Sequence, residues 1–163
     1  AGVVLKEAIE GLNDSKQLSE KKREKLFETI VQKSAYKILF YDNKTVDEKG
    51  LSLCLHTAIK QIQETFEGHE ILMDGNSSFG VEGIKTMIKA DLHVQEVSAA
   101  SILAKVSRDR YMYEQAPLFE NYSFKKHKGY GTASHIKEIQ EFGYCSLHRR
   151  SFTIKALREP TLF

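Results

Sequence analysis

The fold of this chain is constrained most by short apolar runs that alternate with longer segments of helical periodicity. Runs of strand length lie at 1–5, 36–41 and 71–74. Between them, the segment 20–34 and the region from Thr45 to Gly68 repeat apolar side chains every three or four residues. Because alternating strands and helices pack as helices over a sheet, the pattern predicts an α/β fold.

The size and composition of the chain suit one globular domain. Its 163 residues are 41% hydrophobic and 28% charged, enough for a central sheet covered by helices. Cys54 and Cys145 lie far apart and form no CxxC pattern, so they predict neither a disulfide framework nor a zinc site. No apolar run approaches the roughly 20 residues of a membrane span, and no signal-peptide pattern opens the chain. We therefore expect a protein of the reducing cytoplasm that has no membrane partner. We also expect it to be a monomer.

Besides the helical region from Thr45 to Gly68, three further helices are recognisable in the sequence. Ser19 is placed to cap a helix over 20–34, and Thr132 to cap a helix that stops at Gly143. From 94 to 115, apolar positions at helical spacing are mixed with small residues, which permit close approach to a sheet. The polar segments at 12–16 and 125–131 are predicted to be loops.

Two apolar runs, Ile71–Asp74 and Ile88–Asp91, each end in an aspartate. A strand that is buried until its last residue presents that carboxylate at the sheet edge, where water and substrate can reach it. Mg²⁺ and Mn²⁺ prefer such hard oxygen ligands, so Asp74 and Asp91 are candidate metal ligands for phosphodiester chemistry. The alternative for Asp74 is turn chemistry, because Asp followed by Gly commonly closes a strand. Two-metal nucleases generally need more than two carboxylates, so this pair is incomplete.

The last quarter of the chain is basic. Residues 121–163 carry eight Lys or Arg against three Glu, which suits a partner with a phosphate backbone. Within it, the loop Lys125–Thr132 interleaves cations, glycines and Tyr130, a combination typical of phosphate contacts and sugar or base stacking. The alternative is that Gly129 and Gly131 only shape a turn while Tyr130 packs locally. The residues leave both interpretations open.

Several other polar residues have more than one interpretation. The cluster His148–Phe152 either binds phosphate or braces the C-terminal segment, and Lys16 is either a phosphate contact or a surface lysine. Asp109 lies in a helix among opposite charges, which favours a surface ion pair over catalysis. The six histidines show no HxxxH or HxH spacing, and no GxSxG, GxxxxGK[ST] or GxGxxG pattern occurs. These absences argue against the common zinc-hydrolase, serine-hydrolase and nucleotide-binding classes.

Taken together, five motifs strongly resemble bacterial ribonuclease HII in order and spacing. They are Gly11-Leu12-Asn13-Asp14-Ser15-Lys16, Met73-Asp74-Gly75-Asn76, the segment from Ser98 to Asp109, Lys128-Gly129-Tyr130-Gly131-Thr132 and His148-Arg149-Arg150-Ser151-Phe152. The resemblance implies a single domain over 1–163, with a ribonuclease H-like mixed sheet flanked by helices and a helical, substrate-binding C-terminal part from 121. It also implies an endonuclease that hydrolyses the RNA strand of RNA–DNA hybrids and cuts 5′ to single ribonucleotides in duplex DNA. Catalysis would use two Mn²⁺ or Mg²⁺ ions.

The resemblance also implies a role for individual residues. Asp74 resembles a metal-binding catalytic carboxylate, and Asp91 resembles the last catalytic acid of the family. Lys16 and Lys128 resemble phosphate contacts of the substrate groove. Tyr130 resembles the tyrosine that packs against the sugar at the RNA–DNA junction, where a 2′-hydroxyl distinguishes ribose from deoxyribose.

One family motif is absent from this sequence. An adjacent Asp-Glu pair followed closely by Gly-Arg-Gly should precede the segment matching Ala1–Leu5, and it would supply two further catalytic acids. We therefore expect an N-terminally incomplete chain, without its first strand, that binds RNA–DNA hybrids weakly and cuts them poorly or not at all. Two other functions fit part of the sequence: a non-catalytic nucleic-acid-binding protein and a metal-dependent phosphatase acting on a small phosphoester.

Overall fold

The computed structural model describes residues 1–12, 18–154 and 157. The chain divides into two compact units: unit 1 comprises Ala1–Tyr41 and Gly50–Ser107, and unit 2 comprises Asp42–Lys49 and Arg108–Phe163. No helix in the described part of the chain is long and apolar enough to cross a membrane. The strands are β1 (Gly2–Leu5), β2 (Ser34–Lys37), β3 (Ile71–Asp74) and β4 (Ile84–Met87), and the helices are α1 (Glu20–Lys33), α2 (Asn43–Lys49), α3 (Leu51–Thr65), α4 (Gln95–Gln115), α5 (Phe124–His127) and α6 (Ala133–Phe142).

The strands of unit 1 form two pairs. β1 runs antiparallel to β2, with Gly2 opposite Lys37, and β3 runs parallel to β4, with Asp74 opposite Met87. β2 begins and ends earlier than the predicted strand at 36–41. Among the described residues, the two pairs do not join into one sheet. The combination of short strands and helices confirms the predicted α/β class.

Helix α1 forms where the sequence predicts it. The Ser19 hydroxyl accepts a hydrogen bond of 3.3 Å from the Lys22 amide, which satisfies one of the amides that a helix start leaves without an intrahelical partner. Leu26 and Ile30 lie one turn apart on the same face, and both are buried. At the other end, the Ser34 hydroxyl donates to the carbonyl oxygen of Ile30 over 2.6 Å, and the chain passes directly into β2.

Glycine at position 2 allows β1 to pack closely against α3. A Cβ atom there would lie 2.6 Å from Cγ2 of Ile62 and 3.1 Å from the ring of Phe66. Ile102 and Leu103 of α4 are completely buried, in the same apolar cluster as the inner face of α1. The core of unit 1 therefore holds α4 in place just after the segment that carries the second candidate acid.

Unit 2 has an aromatic core of its own. The rings of Tyr122 and Phe124 stack with their centroids 5.1 Å apart, in one cluster with Met112 of α4 and Ile139 of α6. Phe124 is almost completely buried. Because α5 begins at this residue, the core fixes the start of the basic segment that follows.

The last helix also forms where the sequence predicts it. The Thr132 hydroxyl caps α6 by accepting a hydrogen bond of 3.3 Å from the His135 amide. Gly143, with a φ of +78°, ends the helix. The segment predicted as a loop at 125–131 differs in one respect, because its first residues belong to the short helix α5.

The apolar run before Asp91 does not form a strand that ends at this residue. β4 ends at Met87, and Lys89 adopts a left-handed conformation with a φ of +58°. That conformation breaks the extended backbone and turns the chain into a 3₁₀ turn over Ala90–Leu92. The prediction of a carboxylate at a strand end is therefore wrong for Asp91, while Asp74 is the last residue of β3.

Candidate active site and nucleic-acid interface

The carboxylate of Asp74 is exposed at the end of β3 and is held by its surroundings. Its Oδ1 accepts a hydrogen bond of 2.9 Å from the backbone N–H of Ala90. The pairing with β4 continues past it, since the Gly75 amide donates to the carbonyl oxygen of Met87 over 3.0 Å. The strand and the hydrogen bond together restrict the directions in which this carboxylate can point.

Asp91 approaches the same region from the 3₁₀ turn and is only 8% exposed. The Leu92 amide donates to the carbonyl oxygen of Lys89 over 3.1 Å, and the Val94 amide donates to that of Ala90 over 2.8 Å. Helix α4 begins directly after this turn. The backbone of Asp91 is therefore fixed on both sides, although it is not part of a strand.

Asp74 and Asp91 line one groove in unit 1. The groove has a volume of about 620 Å³ and is bounded by β1, β3, α3 and the first part of α4. Among the described residues, β1 pairs only with β2 and β3 only with β4, and both β1 and β3 border the groove. Its walls include the apolar side chains of Val4, Ile59, Leu72, Val97 and Ala100.

The two acids suit a hard divalent cation but form only part of a metal site. Carboxylate oxygens are the ligands that Mg²⁺ and Mn²⁺ prefer, and burial of Asp91 strengthens its attraction for a cation because water screens it less. Over residues 1–12 and 18–154, no three His, Cys, Asp or Glu side chains come together as a possible metal-binding group. Glu70, Glu96 and His69 also line the groove, but among the described residues none of them joins Asp74 and Asp91 in a metal-binding group of three.

In unit 2, the turn after α5 presents Tyr130. Lys128 and Gly129 both have positive φ, +50° and +73°, which reverses the chain after His127. The Tyr130 amide closes the turn by donating to the carbonyl oxygen of His127 over 2.8 Å. Tyr130 is 44% exposed, so its ring reaches solvent beside the basic segment.

Arg108 packs against Tyr130, a contact that the sequence alone does not indicate. Its guanidinium carbon lies 4.5 Å from the centroid of the Tyr130 ring, a cation–π contact. Its Nη1 is buried 3.8 Å from a carboxylate oxygen of Asp109 and makes no hydrogen bond within the described chain. Arg108 lies in the motif from Ser98 to Asp109, more than 20 residues before Tyr130. The two side chains meet only because the turn at 128–130 folds against α4.

Lys128 is more enclosed than an extended phosphate-binding lysine. Its side chain is 11% exposed, and its Nζ lies 3.9 Å from Oδ2 of Asp109 and 5.0 Å from the centroid of the Tyr113 ring. Asp109 does pair with opposite charges, those of Arg108 and Lys128, but it is only 3% exposed, so the predicted surface location of the pair is wrong. This face of α4 is covered by the turn that carries Lys128. The structure therefore brings Lys128, Tyr130 and Arg108 together within unit 2.

The basic cluster at 148–152 is braced by α2. The Asp47 carboxylate accepts hydrogen bonds from the amides of Arg150 and Ser151, at 2.7 and 3.0 Å, and from the Ser151 hydroxyl at 2.6 Å. The side-chain bond from Ser151 is the main reason that the pKa of Asp47 is lowered. Asn43 also donates to two carbonyl oxygens of the neighbouring backbone. Of the two interpretations of this cluster, bracing has direct structural support.

The comparison with known protein families decides the assignment. The sequence model described as Ribonuclease HII matches residues 3–155. The chain belongs to the ribonuclease HII family. The resemblance drawn from the five motifs is therefore confirmed, and the protein is a hydrolase of the ribonuclease H endonuclease type. Ribonuclease HII proteins in general depend on divalent metal ions.

Bacterial ribonuclease HII proteins are similar over nearly the whole chain. The Sulfurovum sp. protein is 52% identical over 163 residues, which are 100% of this chain and 87% of that protein. The Aliarcobacter butzleri protein is 56% identical over 161 residues, covering 98% of this chain and 84% of its own length. The Campylobacter concisus protein is 52% identical over 164 residues and has 89% of its length covered.

A solved ribonuclease HII structure has the same fold. It is the protein in the PCNA:RNase HII complex from Archaeoglobus fulgidus, with a TM-score of 0.78 and 25% identity, covering 98% of this chain and 88% of that one. The similarity confirms a ribonuclease H-like α/β fold with a helical C-terminal part. Lys16, the remaining predicted substrate contact, lies outside the described residues.

Proposed function

We propose that this ribonuclease HII family member hydrolyses the RNA strand of RNA–DNA hybrids and cuts on the 5′ side of single ribonucleotides in duplex DNA. The observation that carries the proposal is that Asp74 and Asp91 line the same groove. Mn²⁺ or Mg²⁺ ions bound there would supply an activated water and stabilise the leaving 3′-oxygen. We further propose that the enzyme acts as a monomer in the cytoplasm, as one domain over 1–163.

The two acids contribute differently to the proposed site. Asp74 is exposed and its Oδ1 is oriented by the Ala90 amide, so it could bind a divalent cation with little reorientation, and that cation would offset the charge of a phosphodiester. Asp91 is nearly buried, where its attraction for a divalent cation is screened less by water. An exposed, oriented carboxylate beside a buried one suits cation binding at the rim of a groove that remains open to substrate.

The groove itself supports a further part of the proposal. Strand edges that are not paired readily accept another strand, and the described edges of β1 and β3 both border this apolar groove. We place the family's Asp-Glu segment there, whether it is joined in front of residue 1 or supplied as a separate peptide. Its acids would then join Asp74 and Asp91.

A peptide experiment tests this placement. Adding a synthetic peptide with the Asp-Glu and Gly-Arg-Gly segment of a relative should increase cleavage by this chain. The matched peptide with Asn-Gln in place of Asp-Glu should bind equally well and leave cleavage unchanged. An equal increase from both peptides would contradict the placement, because the added carboxylates would then be unnecessary.

The nucleic acid would contact unit 2 through the turn at 128–130. Tyr130 offers an exposed ring for packing against the sugar at the RNA–DNA junction, and Arg108 lies against that ring. Lys128, enclosed beside Asp109, would hold the turn and add positive charge near the phosphates. The family resemblance adds Lys16 as a further phosphate contact.

The main experiment is strand cleavage of a DNA duplex with one ribonucleotide, in Mn²⁺ and in Mg²⁺, with the cut position mapped. The wild type is compared with Asp74→Asn and with the control Glu48→Gln, each with and without the Asp-Glu peptide. Glu48 is an exposed carboxylate of α2, 3.9 Å from Lys44. Cutting should occur 5′ to the ribonucleotide, disappear in Asp74→Asn and persist in Glu48→Gln.

Other outcomes would identify a different function. Cleavage unchanged in Asp74→Asn would show that the groove is not the catalytic site. Hybrid binding without cleavage, unaffected by Asp74→Asn or by a chelator, would indicate a non-catalytic nucleic-acid-binding protein. Metal-dependent turnover of a small phosphoester, unaffected by Lys128→Ala and Tyr130→Ala, would indicate a phosphatase.

A further inference from the structure

Unit 2 contains a row of three buried histidines that the proposed reaction does not use. His127, His135 and His148 are each at most 8% exposed. The rings of His127 and His135 stack with centroids 4.2 Å apart, and those of His135 and His148 lie 5.1 Å apart. Buried ring nitrogens need hydrogen-bond partners, so the partners of this row determine where its protons lie.

The contacts define one direction of donation through two of these rings. The Cys145 amide donates to Nδ1 of His148 over 2.9 Å, so the proton of the neutral His148 ring is on Nε2. That N–H donates over 3.0 Å to Nε2 of His135. His135 therefore carries its own proton on Nδ1, which donates over 3.0 Å to the carbonyl oxygen of Tyr130.

The end of this relay is the residue proposed to contact the ribose. The carbonyl oxygen of Tyr130 also accepts a hydrogen bond of 2.7 Å from the Thr132 amide, so two donors fix its peptide group. The ring of the same residue lies against Arg108. Backbone and ring of Tyr130 are thus held by separate contacts, although the ring is partly exposed.

We propose that His135 and His148 are positioning residues, which orient the Tyr130 ring toward the nucleic acid through the hydrogen bond to its carbonyl oxygen. This inference rests on the proposed contact between Tyr130 and the substrate. His148 lies two residues before Arg150, whose amide donates to the Asp47 carboxylate together with that of Ser151. These hydrogen bonds hold the segment that carries His148 and therefore also stabilise the relay. Neither histidine needs to touch the substrate.

Protonation would break the relay. If His135 gained a proton on Nε2, this N–H would face the N–H of His148 at the 3.0 Å contact between the two Nε2 atoms. If His148 gained a proton, it would be on Nδ1 and would face the N–H of the Cys145 amide. Burial is the largest cause that lowers the pKa of both rings, which keeps them neutral near pH 7. The titratable or charged groups around them are His127, Glu138, Tyr122, Tyr144, Cys145 and Arg150.

Glu138 and Arg150 act on this pair in opposite ways. The Glu138 carboxylate accepts a hydrogen bond of 2.7 Å from Nε2 of His127, whose Nδ1 accepts from the Gly129 amide over 3.1 Å. Its negative charge favours protonation of His135, whereas the positive charge of Arg150 disfavours protonation of His148. Neither supplies a direct hydrogen bond that would stabilise a second proton on the His135–His148 pair.

A matched pair of substitutions at one position tests the proposal. His135→Asn places an amide N–H near the position of Nδ1 and can keep the bond to the Tyr130 carbonyl, whereas His135→Gln places its amide near Nε2 and loses it. Affinity is measured by fluorescence anisotropy for a duplex with one ribonucleotide and for the same duplex of DNA only. Thermal unfolding of each variant shows whether the fold is retained.

The expected result is a loss of ribonucleotide discrimination of about fivefold in His135→Gln and less than about twofold in His135→Asn. In a Tyr130→Ala background, His135→Gln should cause no further loss. A loss in that background as large as in the wild type would overturn the proposal, since the effect would not pass through Tyr130. No effect of Tyr130→Ala itself would refute the proposed ribose contact and this inference with it.

A second experiment does not require a His135 variant to fold, because it compares the wild-type protein with Tyr130→Ala at different pH values. The contribution of Tyr130 is the ratio of affinities between wild type and Tyr130→Ala, which cancels pH effects common to both. Because burial lowers the pKa of His135 and His148, this ratio should fall toward one as pH decreases from about 6.5, the ordinary histidine value, to the most acidic pH at which the protein remains folded. A ratio that stays constant over this range would overturn the proposal.

Discussion

The carboxylate of Asp74 is hydrogen-bonded over 2.9 Å to the backbone N–H of Ala90, the residue directly before Asp91. One candidate metal ligand therefore holds the backbone that carries the other. The Ala90 amide needs only an oxygen that accepts its hydrogen bond, and a neutral acceptor of the same shape would satisfy it. The negative charge is a separate property, and the two can be removed independently.

Two substitutions at Asp74 should separate orientation from charge. Asp74→Asn keeps an oxygen acceptor for the Ala90 amide, so its free energy of unfolding should lie within about 0.5 kcal/mol of the wild-type value. Asp74→Ala loses the acceptor, and its free energy of unfolding should be lower by about 1 kcal/mol. Both should bind Mn²⁺ more weakly, because both lose the carboxylate. Urea unfolding and calorimetric titration provide the two measurements. Equal stability of the two variants would show that the hydrogen bond contributes little.

Gly2→Ala should destabilise unit 1 by about 1–3 kcal/mol. The added methyl would lie 2.6 Å from Cγ2 of Ile62, and β1 would have to move away from α3. Gly131→Ala is the matched control, because nothing lies within 4 Å of its Cβ position, and it should change stability by less than about 0.5 kcal/mol. Similar urea midpoints for both variants would contradict close packing at Gly2.

Arg108→Lys should weaken binding of an RNA–DNA hybrid by about two- to fivefold although the charge is kept, because an ammonium cannot stack on Tyr130 as a planar guanidinium does. In a Tyr130→Ala background the same substitution should have no effect. Anisotropy titrations at one salt concentration would measure this, since phosphate contacts depend strongly on salt. An equal loss in both backgrounds would assign Arg108 a contact of its own.

The stability of the protein should fall as pH decreases through the ordinary histidine value of about 6.5. Burial lowers the folded-state pKa of His135 and His148, so the unfolded chain binds more protons in this range. Their contribution is complete above about pH 6.5 and is lost as pH falls toward and through their folded pKa. Urea unfolding at a series of pH values should show that the free energy of unfolding decreases less steeply with falling pH in His135→Asn than in His93→Gln. His93→Gln is the control because His93 is exposed. Identical slopes would contradict this assignment.

Asp47→Asn should loosen the segment at 150–151. The carboxylate accepts from two of its amides and from the Ser151 hydroxyl, and an amide side chain cannot accept at both terminal atoms. Hydrogen exchange at the amides of Arg150 and Ser151 should accelerate, while Glu48→Gln should leave it unchanged. Unchanged exchange in Asp47→Asn would indicate that other contacts hold the segment.

Features that depend on neighbouring residues could be predicted from the sequence. The Ser19 cap acts on an amide three residues away, and Thr132 does the same for α6. The strand before Asp74 is equally local, since its apolar run ends at a glycine turn. In each case one short segment contains the residues that fix the structure.

Features that depend on contacts between distant segments could not be predicted. Asp91 looked like a strand end, but the chain leaves the strand before it, and the Ala90 amide bonds to Asp74, which lies 16 residues earlier. The spacing of His135 and His148 in the sequence matches no metal-binding pattern. The hydrogen bond between their rings forms only when α6 and the following segment fold together. Arg108 likewise acquires its contact from the turn at Tyr130.

The central claim is that Asp74 and Asp91 form one cation-binding edge of a nuclease groove, and the location of bound Mn²⁺ tests it most directly. Paramagnetic broadening of assigned backbone NMR signals detects even weak binding. At low Mn²⁺ concentrations, the signals of Asp74, Ala90 and Asp91 should broaden first, and Asp74→Asn should abolish this preference while Glu48→Gln keeps it. Broadening centred elsewhere, or unchanged by Asp74→Asn, would contradict the claim.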